Sequence, residues 1–219
     1  MLITKIELQR RHPERVNIYI DDEYALSVNI DVVTSFGLHT GDRIEQDMIE
    51  TLKLREEFHL AKSCALRFLT RRVRSTQEIR MKLFEKEFDP AIIEDVVRHL
   101  HGSGLLNDRR FAQAFVHDLQ LRKPCGRRFL LRQLRMKGVP SSVIEETLSE
   151  ALTTDQERDA AFEAATALLQ RFRTSRRNVE AAAQQRRIAQ YLARRGFGWD
   201  TIIPVIRKVF QSYPSLPLE

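Results

Sequence analysis

At 219 residues, with 42% hydrophobic and 30% charged side chains, the chain can bury one or two ordinary cores or an array of small ones. Eight Gly and seven Pro suit helices better than a turn-rich sandwich, and two Cys without CxxC spacing argue against a disulfide framework or a zinc site. The formal charge of +6 divides into −5 over residues 1–58 and +11 over the rest: a basic body behind an acidic head. That asymmetry fits a polyanion or acidic-protein partner for the basic part, or simply a solvated helix surface.

The first thirty residues read as a small antiparallel sheet. Val16, Ile18 and Ile20, then Tyr24, Leu26 and Val28, alternate at period two around Asp21-Asp22-Glu23, a hairpin signal. The acidic trio reads as a solvated turn rather than a metal site, because no partner carboxylate or His lies nearby in sequence. A short helix over 30–36 is expected to end at Gly37, and a charged helix to follow over 45–58. Residues 1–58 thus form an N-terminal hairpin and helical extension. The N-terminus has no basic stretch leading into an apolar run, and no window approaches the length of a spanning helix. The expectation is a soluble, cytoplasmic protein.

From about Phe58 the pattern is helical, and one phrase occurs three times. Ile79, Leu83, Lys86, Phe88, Ile93, Val96 and Val97 are matched, 51 residues on, by Leu130, Leu134, Lys137, Val139, Ile144, Thr147 and Leu148. A further step of 58 gives Ile188, Leu192, Arg195, Phe197, Ile202, Val205 and Ile206. Each copy reads as a helix closed by a cation, a tight turn and a second amphipathic helix. Periods of this size mean stacked helical units. The fold class is therefore mainly α: an elongated array of three tandem three-helix repeats over 59–106, 107–153 and 154–219, behind the small β extension.

Local signals punctuate the repeats. Ser75-Thr76-Gln77-Glu78 is a capping box, Asp89-Pro90 an N-cap before proline, and Asp108 the expected cap of the next helix. A polar bridge from Thr174 to Arg177 divides two helices of the third repeat. The tail from Tyr213 to Pro217 is expected to fray.

The most suggestive stretch runs from Arg122 to Lys137 and holds Arg122, Lys123, Arg127, Arg128, Arg132 and Arg135, with no acid between Asp118 and Glu145. Arg128, Arg132 and Arg135 share one helix face while Leu130 and Leu134 point to the core. Guanidinium groups so aligned suit phosphates or carboxylates, to which each offers a planar fork of donors. Comparable runs are Arg71, Arg72, Arg74 and Arg80 in the first repeat, and Arg171, Arg173, Arg176, Arg177, Arg186 and Arg187 in the third. If the repeats stack, these patches could line one concave basic face. Lys86, Lys137 and Arg195 read as cations capping the negative ends of their helices. Phe111, Phe115 and Phe129 read as core, and Trp199 as either a packing anchor or a partner contact.

Nucleotide-binding loops, HExxH and GxSxG are missing, and His99 and His101 lie on different helix faces. No nucleophile, base and oxyanion donors come together, so the chain reads as a binder without cofactor or metal.

Residues 104–128, GLLNDRRFAQAFVHDLQLRKPCGRR, and 69–86, LTRRVRSTQEIRMKLFEK, resemble the RecX family, regulators of the RecA recombinase. Gly104, Leu105, Leu106, Asn107, Asp108, Arg110, Phe111 and Ala112 match that family's turn-to-helix pattern, and Arg74, Ser75, Glu78 and Ile79 its capping pattern. Leu105 stands where an aromatic is usual, and Cys125 precedes the glycine of the Lys-Pro-x-Gly element. The resemblance implies a curved row of three-helix repeats. It also implies a protein that binds RecA filaments on single-stranded DNA, with direct DNA contact open, and restrains strand exchange, ATP hydrolysis and co-protease activity; a monomer is expected. It brings no catalytic residues. The alternative is a tandem helix-turn-helix-like DNA-binding regulator, because three-helix units resemble such modules.

Overall fold

The computed structural model describes residues 1–174 and 180–213. Arg176, Arg177 and the tail beyond Tyr213 lie outside the described residues, as does the expected bridge beyond Thr174. Three strands, β1 (Ile3–Leu8), β2 (Arg15–Ile20) and β3 (Glu23–Asn29), form an antiparallel sheet in the order β1-β2-β3. Val16, Ile18, Ile20, Leu26 and Val28 are buried on one face, as their alternation requires. Asp21 and Asp22 both take positive φ (48° and 69°), the two-residue loop whose twist matches the strands it joins. The Asp21 carboxylate accepts from Leu2 N at 2.9 Å and Asp22 N donates to Thr4 Oγ1 at 3.0 Å, so the turn is tied to β1.

Helix α1 (Ile30–Phe36) starts at Asn29, whose side chain accepts from Asp31 N, and is followed by Gly37 at φ 61°. Where the sequence suggests a charged helix over 45–58 and a fresh start at Phe58, there is one helix, α2 (Gln46–Leu69). No Gly, Pro, Ser, Thr, Asn or Asp lies between Thr51 and Ser63 to stop or restart a helix near Phe58, and adding a turn to an existing helix is far easier than nucleating another. Its first half buries Ile49 and Leu52 in the core under the sheet; its second half buries Ala61 and Ala65 in the next core.

The three-helix phrase is realised three times. The first repeat adds α3 (Thr76–Phe84) and α4 (Pro90–Gly102) to α2. The second is α5 (Asp108–Arg122), α6 (Arg127–Met136) and α7 (Ser141–Ala151). The third is α8 (Thr154–Thr174), α9 (Ala181–Arg194) and α10 (Trp199–Ser212). Each closes its own apolar core: Ile79, Leu83, Ile93 and Val96 in one, Leu130, Leu134, Ile144 and Leu148 in the next, Ile188, Leu192, Ile202 and Val205 in the last. Two compact units result. One comprises Met1–Arg72 with Ile79–Leu106; the other comprises Val73–Glu78 with the chain from Asn107 on.

Thr147 occupies a core position that is Val96 in the first copy and Val205 in the third. It is fully buried, and its Oγ1 has no hydrogen-bond partner among the described residues. A buried hydroxyl without a partner loses its hydration uncompensated. Thr147→Val is therefore expected to stabilise the second unit by about 1 kcal/mol, read as a higher urea midpoint; a fall would show that the hydroxyl is satisfied.

Within the second unit, successive repeats join through the start of a middle helix. Ser75 Oγ donates to Lys137 O at 2.7 Å, and Thr76 N donates to Asp108 Oδ1 at 2.8 Å. One repeat on, Gly126 N donates to Arg195 O at 3.0 Å, and Arg127 N to Glu157 Oε1 at 2.8 Å. Ser75 and Gly126 are repeat equivalents, as are Lys137 and Arg195, so the tight turn of one repeat caps the middle helix of the repeat before it. Helix N-termini carry unsatisfied amides; Asp108, Arg195 O and Glu157 accept from such amides, while Lys137 O holds the hydroxyl of the capping Ser75. Asp108, expected to cap its own helix, serves α3 instead, while Asn107 caps α5 by accepting from Arg110 N.

The residue after each closing cation follows from the same joint. Gly138 and Gly196 have φ of 70° and 82°, and a Cβ on either would fall 2.4 Å from Gln77 Cβ or 2.2 Å from Phe129 N. The equivalent position of the first repeat is Glu87, exposed, with φ 61°. The left-handed turn recurs in all three copies, but Gly appears where a preceding repeat packs against it.

Candidate functional site

Helix α6 carries the aligned arginines. Leu130 and Leu134 are fully buried, and Arg128, Arg132 and Arg135 are exposed on the opposite side. Among the described residues, none of the three forms a salt bridge, whereas Arg127 pairs with Glu145 at 3.0 Å. The Arg132 guanidinium lies over the Phe129 ring, 5.6 Å from its centroid. Arg122 and Lys123, at the end of α5, are exposed as well. The surface is thus a short helix that holds no acid of its own and turns three guanidinium forks outward, an arrangement suited to phosphate or carboxylate oxygens.

The other candidates are less uniform. Arg71 and Arg72 are exposed just past α2, and Arg74 is half-buried. Arg80 is held bidentate by Glu94 at 2.7 and 2.8 Å, and this hydrogen-bonded guanidinium lowers the Glu94 pKa. Arg186 and Arg187 are exposed on α9, with Arg186 at the repeat position of Arg128. Arg171 is exposed on α8; Arg173 donates to Tyr213 O at 2.6 Å. Trp199, which sequence leaves as anchor or contact, is 54% exposed. Phe111 is buried and Phe115 and Phe129 partly so.

Two of the three closing cations, Lys137 and Arg195, do more than answer the helix dipole. Lys137 Nζ reaches Glu78 Oε1 at 2.9 Å, while Glu78 completes its capping box with Ser75. Arg195 donates from Nε to Pro124 O at 2.9 Å and from Nη2 to Lys123 O at 2.8 Å, and lies 5.2 Å from the Phe129 centroid. Sequence reasoning missed this role for Arg195. The signal was present in the shared offset of Lys137-Gly138 and Arg195-Gly196, whose first copy lacks the glycine. Cys125, beside this joint, is buried, and burial raises its thiol pKa. Among the described residues no group of His, Cys, Asp and Glu could hold a metal ion, and no helix is long and apolar enough to cross a membrane.

A small N-terminal sheet followed by three tandem three-helix repeats, one with a basic middle helix, defines a helical-repeat protein. Four family models match in order: the regulatory protein RecX N-terminal domain at residues 1–45, and the first, second and third RecX three-helix domains at 61–100, 107–148 and 159–206. The chain belongs to the RecX family of regulatory proteins. It is 32% identical to the regulatory protein RecX of Clostridium acetobutylicum over 209 residues, covering 95% of this chain and 96% of the relative. It is 35% identical to that of Bacillus subtilis over 200 residues, 91% of this chain and 74% of the relative. A crystal structure of a regulatory protein RecX superposes with TM-score 0.78 at 26% identity, over 94% of this chain and 98% of that one. RecX from Lactobacillus salivarius shares the fold, with TM-score 0.64 at 21% identity over 72% of this chain and 99% of that one.

Proposed function

We propose that this chain restrains RecA by binding its filament on single-stranded DNA through the basic surface of the second repeat. Membership in the RecX family supports the RecA connection. The observation that carries the surface is the exposed row Arg128, Arg132 and Arg135 on α6, without a salt bridge among the described residues and on a stretch free of acids from 119 to 144. Arg122 and Lys123 extend it, and Arg71, Arg72, Arg74, Arg186 and Arg187 are secondary contacts, with Arg176 and Arg177 proposed on charge alone. Filament-bound DNA phosphates or RecA carboxylates both suit this chemistry, and binding needs no catalytic group in this chain.

The deciding experiment is RecA ATPase on single-stranded DNA with sub-stoichiometric amounts of this protein. Inhibition is expected; none, with filaments of unchanged length, would overturn the reading. Replacing Arg128, Arg132 and Arg135 by Ala should weaken binding to RecA-coated oligonucleotide at least tenfold without lowering the unfolding midpoint. If the partner atoms are phosphates of single-stranded DNA, the slope of log K against log salt should fall by about two, roughly 0.7 per lost cation. Equal binding by the triple variant would place the contact face elsewhere. A steep preference for one duplex site would point instead to a sequence-reading DNA regulator.

A further inference from the structure

We propose that Arg195 is a positioning residue: from the third repeat it sets the loop and helix start that present the arginine face of the second. The proposal rests on the reading of that face as the binding surface. Four polar groups of residues 123–128 find their partners on two consecutive residues. The Lys123 and Pro124 carbonyls accept from the Arg195 guanidinium at 2.8 and 2.9 Å. The Gly126 and Arg128 amides donate to the Arg195 and Gly196 carbonyls at 3.0 and 3.2 Å. Gly126 itself offers no capping side chain to α6. The Phe129 and Leu130 amides bond to Gly126 O, but the amides before them take partners distant in sequence: Arg127 N donates to Glu157, and Gly126 N and Arg128 N to the Arg195 and Gly196 carbonyls.

The Arg195 side chain also meets the face it supports. Its guanidinium and that of Arg132 both lie over the Phe129 ring, at 5.2 and 5.6 Å from the centroid. Phe129 thus has both the brace and one of the proposed binding arginines as cation–π neighbours, which couples Arg195 to Arg132 through one ring. A lysine at 195 would keep the charge but could not send two donors along one plane to the Lys123 and Pro124 carbonyls. The second repeat shows the contrast: its closing cation is Lys137, and there the preceding helix start is capped by a side chain, Ser75, and Lys137 needs to reach only a carboxylate. Arginine at 195 fits the place where the partners are two backbone carbonyls.

The test compares full-length Arg195→Lys and Arg195→Gln with the wild type and with Arg128, Arg132 and Arg135 all changed to Ala. Two measurements are made: amide hydrogen exchange in the free protein, and binding to a labelled oligothymidylate, bare and RecA-coated. Both Arg195 variants are expected to exchange at Gly126 and Arg128 at least tenfold faster, with the amides of α7 unchanged. Both should bind the RecA-coated probe about tenfold more weakly. The Lys and Gln losses should be equal, and should vanish when added to the triple variant, because Arg195 acts through that face. Full rescue by Lys would make Arg195 an ordinary charge contact and overturn the proposal. Unchanged exchange would overturn the brace itself. Additive losses in the triple background would reduce Arg195 to a merely structural role. A triple variant that binds as wild type would sink the reading of the face while the exchange result still judged the brace.

Discussion

Replacing Gly196 by alanine is expected to destabilise the second unit by about 3 kcal/mol or more, combining overpacking with a left-handed backbone that disfavours a Cβ. Its φ is 82°, and the added carbon would lie 2.2 Å from Phe129 N, 2.5 Å from Phe129 Cβ and 2.7 Å from Phe129 Cα. Two of those atoms are backbone, so no side-chain rotation relieves the clash. The turn must retreat from α6, and in doing so it stretches the hydrogen bonds from Gly126 N and Arg128 N. Trp199, the single tryptophan, begins the next helix and gives the signal: its fluorescence midpoint in urea should fall sharply. A midpoint within a few tenths molar of the wild type would mean the two repeats do not pack as closely as this joint requires.

Glu56→Ala is expected to cost the first unit about 3 kcal/mol or more, because it leaves a partly buried cation and a buried amide without their shared acceptor. Glu56 is 6% exposed on α2. Its Oε1 accepts from Arg15 Nη1 and its Oε2 from Asn29 N, both at 2.6 Å, so one carboxylate joins β2, the end of β3 and α2. Arg15 Nη2 donates in addition to Ser27 O at 3.0 Å. Glu56→Gln should be nearly as damaging, since its NH2 would meet one of two donors that both need an acceptor. Urea unfolding followed by circular dichroism, with exchange at the Asn29 amide, reads the loss. Stability of the Gln variant equal to wild type would show that the charge and the second acceptor oxygen contribute nothing.

Much of the fold was legible in the residues because its causes are local. The 3.6 period that puts Leu130 and Leu134 on one side of α6 also puts Arg128, Arg132 and Arg135 on the other, and both sets follow from spacing alone. Asp21-Asp22 announces its hairpin because Asp tolerates the left-handed region, and Asn29 and Asp89 start helices with their own side chains. The charged helix expected over 45–58 runs on to Leu69 for a local reason as well: nothing in the backbone chemistry around Phe58 stops a helix.

What sequence determined, then, is which segments are helix or strand, which face of each is apolar, and that one helix face is a row of cations. What only the tertiary structure decided is which of those cations keep free guanidinium groups. Arg127 and Arg128 are adjacent, yet Arg127 pairs with Glu145 while Arg128 stays exposed. Lys137 and Arg195 look like equivalent caps in sequence, yet one takes a carboxylate and the other two carbonyls. The reason is physical: periodicity and capping act over one or two helical turns, whereas a hydrogen-bond partner 59 or 72 residues away is selected by how whole repeats pack. The row of arginines was written locally, and the joint that holds it in place exists only once the third repeat has docked against the second.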